Sequence, residues 1–358
     1  MIVINSSFLA QKLRGINRFA IEVSKELKHL LADIKFIAPE NILKNKYTEE
    51  IQPKIYKNNI RIPAPQVVFW EQMELVSYLK KQNNPLLVNL TNTAPVFYKN
   101  QIVTIHDLMF LQNPNWYSKK HYYFYKNLFY RVAHNSLKVV TVSDFSKKEI
   151  IKYFKVPENK IEVVHNAVSP EFIKLAEDNF QNQYGEYILA VSSLDPRKNF
   201  VGLIHAFNKL KLKDVKLLIV GEEGTIFKQQ SFKNIMQGNP DIIFTGYVSD
   251  KELAGLYKNA KLFVFPSFYE GFGIPPLEAM ACGCPTIVSD VASIPEVCSD
   301  ASYYVDPEDV NSIANGIYEV LNNELLQKEL RNKGFERIKT FNWQNSAEKY
   351  IDIIQNLT

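Results

Sequence analysis

The sequence predicts two α/β domains, each built on a doubly wound parallel sheet. Short runs of β-branched and other apolar residues alternate with longer helical stretches along the 358 residues. These runs are nearly continuous in apolar character, which is typical of strands that are buried on both faces. The chain is also too long for one ordinary hydrophobic core, so two domains of middling size are expected.

The expected strands form two series along the chain. The first series is Ile2–Ile4, Lys35–Ala38, Leu86–Leu90, Ile102–Ile105, Val139–Val142 and Ile161–Val164. The second series is Tyr187–Val191, Val215–Val220, Ile242–Thr245, Leu262–Phe265 and Thr286–Ser289. The helices that we predict between strands include Gly15–Leu31, Lys119–His134, Phe145–Phe154 and Asp250–Asn259. Ligands of open parallel sheets bind outside the carboxyl ends of the strands, so the residues that follow each strand are the site candidates.

A polar segment without apolar periodicity separates the two series. It runs from Leu175 to Gly185, and a new strand begins directly after it. We therefore predict an N-terminal domain over residues 1–175 and a C-terminal domain over residues 185–342. A last helix over 343–358 could pack on either domain, including back on the first, through Ala347, Tyr350, Ile351 and Ile354.

The composition narrows the class of protein. Hydrophobic residues make up 46% of the chain, which argues against disorder. No apolar run approaches the roughly 18 residues that cross a bilayer, and no basic region precedes the apolar N-terminus. We therefore expect a cytoplasmic protein. Its three cysteines, two of them spaced C-x-C, are expected to be reduced packing residues.

The charge is distributed unevenly along the chain. Residues 1–180 contain 25 Lys and Arg against 16 Asp and Glu, and the remaining residues contain 17 against 22. A basic first half is compatible with an anionic membrane surface, a phosphate-bearing lipid, nucleic acid or simple solvent exposure. We keep peripheral contact with the inner face of an anionic membrane as a prediction, and we expect no binding of nucleic acid.

The segment after the strand Leu262–Phe265 is the first candidate for chemistry. Gly271 and Gly273 allow backbone turns that bulkier residues resist. A helix is expected to begin near Pro275, and its free N–H groups and positive dipole end would form an anion site suited to a diphosphate.

Two carboxylates flank this helix start. We expect Glu270 in the loop before the helix and Glu278 in the first helical turn. Carboxylates accept hydrogen bonds from paired hydroxyls, so both residues could grip sugar rings. In the alternative interpretation, Glu278 only complements the helix dipole and Glu270 is a solvated loop residue.

A second candidate follows the strand Tyr187–Val191 and reads SSLDPRKNF. Asp-Pro begins a turn, and Arg197 and Lys198 then precede a helix from Phe200. Two cations at a strand-to-helix turn are typical of a phosphate clamp, which could neutralise a departing diphosphate. The alternative is an exposed basic turn.

Two weaker candidates lie in the first half. His106 and Asp107 directly follow the strand Ile102–Ile105, where Asp107 could orient the imidazole. A lone histidine is often structural, but the end of a parallel strand favours function. Gly15, in the turn Arg14–Arg18, could bring backbone N–H groups close to a phosphate or a sugar.

Several motifs are missing from the sequence. It contains neither the dinucleotide fingerprint G-x-G-x-x-G nor the P-loop G-x-x-x-x-G-K-[ST], which disfavours a nicotinamide dehydrogenase. It also contains no tight D-x-D or H-x-x-x-H arrangement that would demand a metal. We therefore expect no metal and no cofactor. A glycosidase is disfavoured because its two carboxylates stand on opposite sides of the scissile bond, whereas Glu270 and Glu278 share one loop-helix segment.

Taken together, these residues resemble the large retaining glycosyltransferase family 4, whose GT-B architecture has two Rossmann-like domains facing across a cleft. The resemblance spans nearly the whole chain. It is strongest in E-x7-E, from Glu270 to Glu278, within FPSFYEGFGIPPLEAMACGCPTIVSD, and it extends to DPRKN at 195–199 and HDL at 106–108. FWEQ at 69–72, TVSDFS at 141–146 and VVHNAV at 163–168 resemble the bacterial mannosyl- and rhamnosyltransferases that build O-antigen and capsule chains.

The resemblance implies a role for each matching residue. Glu278 would bind the donor's ribose hydroxyls, and Glu270 the hydroxyls of the transferred sugar. Arg197 and Lys198 would hold the diphosphate, and His106 would lie under the transferred sugar, so His106, Arg197, Lys198 and Glu270 are the expected catalytic residues. Further donor contacts are expected from Gly15, Gly246, Tyr247, Val248, Gly271, Phe272, Gly273 and Ile274, with Gly15 on the acceptor side.

Two positions depart from the family pattern. The family's loop commonly reads G-I-G-R-Y, whereas this chain has Asn17 at the third position and Phe19 at the fifth. The usual N-G after the sixth strand is Asn166-Ala167 here. Asn17 puts the acceptor contacts in doubt.

The implied activity is transfer of a hexose or deoxyhexose from a nucleotide sugar to a growing surface glycan on a lipid carrier. The first expectation is mannose from GDP-mannose, transferred with retention of configuration and without a metal. A donor based on UDP or dTDP, with glucose or rhamnose, is an alternative. An inactive binding subunit with the same fold is a further alternative.

Overall fold

The computed structural model describes residues 1–11, 15–57, 66–221 and 239–357. The chain divides into two compact units. The N-terminal unit comprises Met1–Asn166 together with Trp343–Thr358, and the C-terminal unit comprises Ala167–Asn342.

The N-terminal unit is built on a seven-stranded parallel sheet. Its strands are β1 Ile2–Asn5, β2 Ile34–Ala38, β3 Lys54–Ile55, β4 Leu86–Asn89, β5 Gln101–Thr104, β6 Lys138–Thr141 and β7 Ile161–Val163. Their order is β3-β2-β1-β4-β5-β6-β7, so the order reverses between β1 and β4. The central strands are buried on both faces, as continuous apolar runs predict.

Helices accompany this sheet. They are α1 Gly15–Leu30, α2 Lys46–Ile51, α3 Gln66–Trp70, α4 Val76–Lys81, α5 Met109–Gln112, α6 Lys119–Asn135 and α7 Asp144–Phe154. A π-helical stretch, Glu71–Leu75, joins α3 to α4. Insertions of this kind are frequent at functional sites, which draws attention to Glu71.

The C-terminal unit has a six-stranded parallel sheet. Its strands are β8 Glu186–Val191, β9 Val215–Val220, β10 Ile242–Gly246, β11 Leu262–Phe265, β12 Thr286–Ser289 and β13 Tyr303–Val305, in the order β10-β9-β8-β11-β12-β13. Its helices in the described residues are α8 Pro170–Leu175, α9 Phe200–Leu210, α10 Asp250–Asn259, α11 Ile274–Ala281, α12 Ile294–Cys298, α13 Val310–Leu321 and α14 Glu324–Ile338. All three cysteines are buried and free of disulfides.

The boundary between the two units lies after Asn166, before the polar segment 175–185 at which we predicted it. The reason is that α8 packs within the C-terminal unit, where Phe172 contacts the ring of Tyr257 with ring centroids 6.2 Å apart. The polar segment thus follows the change of unit instead of marking it.

The last helix, α15 Trp343–Gln355, packs within the N-terminal unit against α1. The Tyr350 hydroxyl lies 2.6 Å from the Thr104 hydroxyl, and Ser346 Oγ donates to the His165 carbonyl at 2.7 Å. The chain therefore returns to its first sheet after completing the second.

Candidate active site

Two neighbouring strands of the C-terminal unit carry the strongest sequence candidates at their carboxyl ends. The segment DPRKN follows β8, and the segment with Glu270 follows β11. β8 and β11 pair directly, and the strand order reverses between them. This reversal point is where open α/β sheets bind ligands, and it brings two stretches about 70 residues apart in sequence into contact.

Local capping fixes the shape of DPRKN. The side chain of Asp195 accepts from the N–H of Arg197 at 3.1 Å and caps a 3₁₀ turn over Pro196–Lys198. Asn199 has φ 53°, a left-handed conformation that asparagine tolerates, and its side chain accepts from the N–H of Gly202 at the start of α9. Two successive caps therefore set the direction of the cations between them.

The two cations converge on one carboxylate. Lys198 Nζ donates to Glu270 Oε1 at 2.5 Å, and Arg197 Nη1 donates to Glu270 Oε2 at 3.2 Å. All three side chains are buried or nearly so, with 7% exposure for Lys198, 8% for Glu270 and 18% for Arg197. Glu270 is thus neither a solvated loop residue nor separate from the basic turn. We call these three residues the Glu270 cluster.

Burial and charge shift the pKa values of this cluster. Burial and the neighbouring Arg197 lower the pKa of Lys198 to about 8, although Glu270 opposes the shift. Burial raises the pKa of Glu270, but Lys198 and Arg197 outweigh it and hold this pKa below its ordinary value. The carboxylate is therefore ionised at neutral pH, and the ammonium stays largely protonated until the pH approaches about 8. Lys198 Nζ also lies 5.0 Å from the centroid of the Phe265 ring.

Backbone contacts hold the loop that carries Glu270. Phe268 N–H donates to the Arg197 carbonyl at 2.8 Å, which joins the loops after β8 and β11. The buried Ser293 hydroxyl lies 2.9 Å from the carbonyls of both Glu270 and Phe272. The ring of Phe272 packs on Phe341 with centroids 5.5 Å apart. The loop is consequently fixed from both sides before a ligand arrives.

Gly273 ends this loop and occupies the N-cap position before α11. Its φ is 101°, and a Cβ there would lie 2.6 Å from Ile294 Cδ1, so only glycine fits without movement. Pro275 and Pro276 occupy the first turn of α11, as predicted, where a missing N–H costs nothing. Ile274 is the first residue of α11.

The prediction that Glu278 lies in the first helical turn was wrong. The helix begins at Ile274, one residue before the predicted start, so Glu278 falls in the second turn and the first turn contains no acidic residue. The side chain of Glu278 is 9% exposed and accepts from the Tyr257 hydroxyl at 3.4 Å. It therefore cannot serve as a simple dipole partner of the helix start.

The segment Gly246–Val248 follows the edge strand β10. Gly246 has φ 74° and ends the strand after a register shift, and its carbonyl accepts from the N–H of Gly221 at 3.1 Å. Tyr247 is 74% exposed and Val248 is buried. An exposed aromatic ring at the carboxyl edge of the sheet can stack on a planar ligand.

His106 lies in the N-terminal unit, just past β5. It is 4% exposed, its Nε2 lies 3.1 Å from the Leu90 carbonyl, and Phe19 meets its ring edge-on at 4.9 Å between centroids. Burial lowers the pKa of His106, so the imidazole is neutral at pH 7. Asp107 does not hold the ring as we expected: its carboxylate accepts from the N–H of Met109.

Comparison with known proteins decides the family. The model for "Glycosyltransferase Family 4" matches residues 13–172, and the model for "Glycosyl transferases group 1" matches residues 172–337. O-antigen chain mannosyltransferase B from Escherichia coli is 32% identical over 277 residues, covering 72% of each chain. The chain belongs to glycosyltransferase family 4. It is therefore an enzyme of the glycosyltransferase class, as the sequence predicted.

A further relative covers more of the chain. O-antigen chain mannosyltransferase RfbU from Salmonella typhimurium strain LT2 is 30% identical over 332 residues, covering 88% of this chain and 90% of the relative. Among solved structures, sucrose-phosphate synthase from Thermosynechococcus elongatus superimposes with a TM-score of 0.77 at 19% identity, covering 99% of this chain and 98% of its own. WaaG, a glycosyltransferase of lipopolysaccharide biosynthesis, gives 0.75 at 14%, covering 99% of both. These structures confirm the GT-B fold class.

Some of the predicted site residues of this glycosyltransferase contact one another, whereas others lie in different units. Arg197, Lys198 and Glu270 touch one another in the C-terminal unit. His106 lies in the N-terminal unit. Gly15 is also in that unit, where it is the first residue of α1 and is exposed. Arg14 lies outside the described residues.

Sequence reasoning assigned no role to Glu71, although its motif FWEQ was part of the resemblance. Glu71 is fully buried, and its Oε1 accepts from Asn5 Nδ2 at 2.9 Å and from Ser7 Oγ at 2.9 Å. Asn5 Nδ2 also donates to Asn89 Oδ1 at 3.0 Å. The network spans the ends of β1 and β4, where the strand order of this sheet reverses. The sequence did contain one sign of this buried carboxylate, because Glu71 directly follows an apolar run.

No group of three or more His, Cys, Asp or Glu residues in 1–11, 15–57, 66–221 and 239–357 could hold a metal ion. Over the same ranges, no helix has the length and apolar character needed to span a membrane.

Proposed function

We propose that this glycosyltransferase moves mannose from GDP-mannose to a growing surface glycan on a lipid carrier. The single observation that carries the proposal is the convergence of Arg197 and Lys198 on Glu270 at the strand-order reversal between β8 and β11. Sugar donors of this kind carry a diphosphate, and two preorganised cations supply the charge that a departing diphosphate requires.

The reaction exchanges one bond for another at the anomeric carbon. The bond from this carbon to the diphosphate oxygen breaks, and the acceptor oxygen bonds to the same carbon. The departing nucleoside diphosphate takes the acceptor's hydroxyl proton. Arg197 and Lys198 would stabilise the negative charge on the leaving oxygen, and Glu270 would hold both cations in place while facing the sugar hydroxyls.

The rest of the donor has candidate contacts in the same unit. Tyr247 offers an exposed ring to the base, and Glu278 offers carboxylate oxygens to the ribose hydroxyls. The N–H groups at the start of α11, next to Gly273, complement the phosphates. We propose that no metal is needed, because these cations and helix dipoles do its electrostatic work.

The choice of mannose and of a surface glycan rests on relatives. Two proteins similar to this chain are named O-antigen chain mannosyltransferases. Retention of the anomeric configuration follows from the family resemblance. Acceptors of this class are carried on membrane lipids, so we also propose that the protein works at the inner face of the cytoplasmic membrane.

A panel of ligands tests the donor. GDP, UDP and dTDP, each with and without its sugar, are added to the purified chain, and the free energy of unfolding is measured. The preferred ligand at a hundredfold excess over its Kd should add about 2.7 kcal/mol. GDP-mannose is expected to give the largest increase, and a larger increase with a UDP- or dTDP-sugar would replace it as donor.

Transfer itself distinguishes the enzyme from an inactive binding subunit. The purified chain is given GDP-mannose and a lipid-linked mannose-terminated acceptor, and the product linkage is determined by NMR. We expect an α-linked product, which corresponds to retention. Donor binding without any product would favour the binding subunit, and a β-linked product would contradict retention.

A further inference from the structure

One helix of the N-terminal unit displays aromatic and basic side chains to solvent. In α6, Tyr123 is 66% exposed, Phe124 is 49% exposed and Tyr130 is 48% exposed. Such large rings are normally turned inward, and the opposite side of α6 does turn Leu128, Phe129, Val132 and Ala133 into the core. The exposed rings are therefore additional to what the fold requires.

The cations of α6 share this face with the rings. At 100° per residue, an arc of roughly 160° contains all of the following side chains, which we call the aromatic–basic face. They are Lys120, Tyr123, Phe124, Lys126, Tyr130 and Arg131. The sequence of α6 contains no Asp or Glu. Within the described residues, no acidic side chain forms an ion pair with these three cations.

A loop that contacts the end of α6 carries a further exposed ring. Asn135, at the end of α6, donates through Nδ2 to the Val96 carbonyl at 2.9 Å. The next residue, Phe97, is 83% exposed, the highest value among the large exposed hydrophobic residues of the described chain. An exposed ring thus stands beside the last turn of α6 as well.

We infer that the aromatic–basic face docks on an anionic phospholipid surface. The chemistry of the face matches that surface in two ways. Tyr and Phe rings favour the boundary between headgroups and acyl chains, and Lys and Arg side chains extend toward lipid phosphates. Four cations of α6 without acidic neighbours in the helix provide the charge complement. This inference rests on the proposed lipid-carried acceptor, because docking would bring the enzyme to the surface that holds it.

Co-sedimentation with vesicles tests the inference. The full chain is mixed with vesicles of phosphatidylcholine alone or with about one third phosphatidylglycerol. We expect binding only to the anionic vesicles, weakened by salt. Equal binding to neutral vesicles would overturn the electrostatic part, and absence of binding to anionic vesicles would overturn the inference.

Two double variants assign the binding to α6. Tyr123→Ser with Phe124→Ser removes rings, and Lys120→Glu with Arg131→Glu reverses charges; each should weaken vesicle binding at least ~10-fold. The matched control is Tyr318→Ser with Leu325→Ser, exposed at 55% and 82% on α13 and α14 of the other unit. This control should bind as the unaltered chain does, and equal weakening by it would overturn the assignment to α6.

Transfer assays separate this inference from the proposed function. With a short water-soluble acceptor, the α6 variants should keep the wild-type rate, whereas with an acceptor embedded in anionic vesicles their rate should fall. If the unaltered chain transfers sugar but does not bind vesicles, the docking inference is overturned and the proposed function is retained. A change from dimer to monomer in the α6 variants, seen by light scattering, would instead identify a second copy of the chain as the occupant and overturn the lipid inference.

Discussion

Lys198 Nζ lies 2.5 Å from Oε1 of Glu270, in a site where both side chains are less than one-tenth exposed. A buried pair of this kind differs from a surface ion pair, because removing one partner leaves the other charge out of water. Stability and the proposed donor binding therefore depend on the same contact.

Lys198→Ala should destabilise the fold as well as the site. The change leaves Glu270 buried with Arg197 as its remaining cation, and we expect a loss of about 3 kcal/mol in the free energy of unfolding. The matched control is Lys251→Ala, which breaks an exposed pair with Asp178 and should cost about 0.5 kcal/mol or less. Denaturant unfolding of both variants checks this, and equal losses would contradict the buried pair.

The pH dependence of donor use should follow Lys198. Its pKa of about 8 means that the ammonium becomes neutral above this pH, so attraction for a diphosphate weakens. We expect kcat/KM for the donor to fall above pH of about 8, because this ratio reports groups of the free enzyme.

Glu270→Gln sharpens that test. The carboxylate raises the pKa of Lys198, so its removal should move the fall in kcat/KM to lower pH. Lys251→Ala should retain the wild-type profile. A fall at the same pH in Glu270→Gln and wild type would show that another group controls the profile.

Gly273→Ala should weaken both the fold and the donor site. The new Cβ meets a left-handed φ of 101° and would lie 2.6 Å from Ile294 Cδ1, and we expect a cost of about 2 kcal/mol or more. Gly185→Ala is the control, since φ is 76° there but nothing lies within 4 Å of the new Cβ.

The difference between these two glycine variants isolates the clash. Adding Ile294→Val to Gly273→Ala removes the clashing methyl and should restore part of the stability in thermal unfolding. If both alanine variants lose the same stability, and Ile294→Val restores none of it, the loss arises from the backbone alone and the tight contact plays no part.

Glu71 should make the free energy of unfolding depend on pH on the acid side of neutrality, with stability falling as the pH rises. Burial raises its pKa, so the folded chain holds a proton at pH values where the unfolded carboxyl has lost it. This contribution is complete below the ordinary pKa of about 4.3 and is lost as pH rises through the raised pKa of the folded state.

Glu71→Gln should remove this slope while keeping the hydrogen bonds from Asn5 and Ser7 to the side-chain oxygen. Glu74→Gln, three residues later, serves as the control and should keep the slope. Urea unfolding at several pH values from 4 upward measures it. A wild-type slope in Glu71→Gln would assign the proton to another group.

The structure contains all eleven strands that the apolar runs predict, and its described residues contain two further strands that were missed. Each of these two, β3 and β13, lies at one edge of its sheet, has only two or three residues and is mostly unburied. A strand buried on one side, or hardly at all, carries a weak apolar signal. The position of such a strand is set by pairing with its neighbour, as Lys54 of β3 pairs with Ile37 of β2. A short sequence segment gives no sign of this pairing.

The site shows the same limit in another form. The sequence predicted that Arg197, Lys198 and Glu270 follow the carboxyl ends of β8 and β11, and parallel strands align these ends along one edge of the sheet. The direct pairing of these residues was not predictable, since it depends on strand order and on the caps at Asp195 and Asn199. Ser293 was also missed, because it contacts the site only through backbone carbonyls.

We propose that the Glu270 cluster stabilises the departing diphosphate of a sugar donor. The most direct measurement is kcat/KM for transfer from GDP-mannose in wild type, Arg197→Ala and the surface control Lys251→Ala. We predict that Arg197→Ala lowers it by roughly 10²–10³-fold while the chain stays folded, and that the control is unchanged. An Arg197→Ala enzyme that transfers mannose at the wild-type rate would contradict the account.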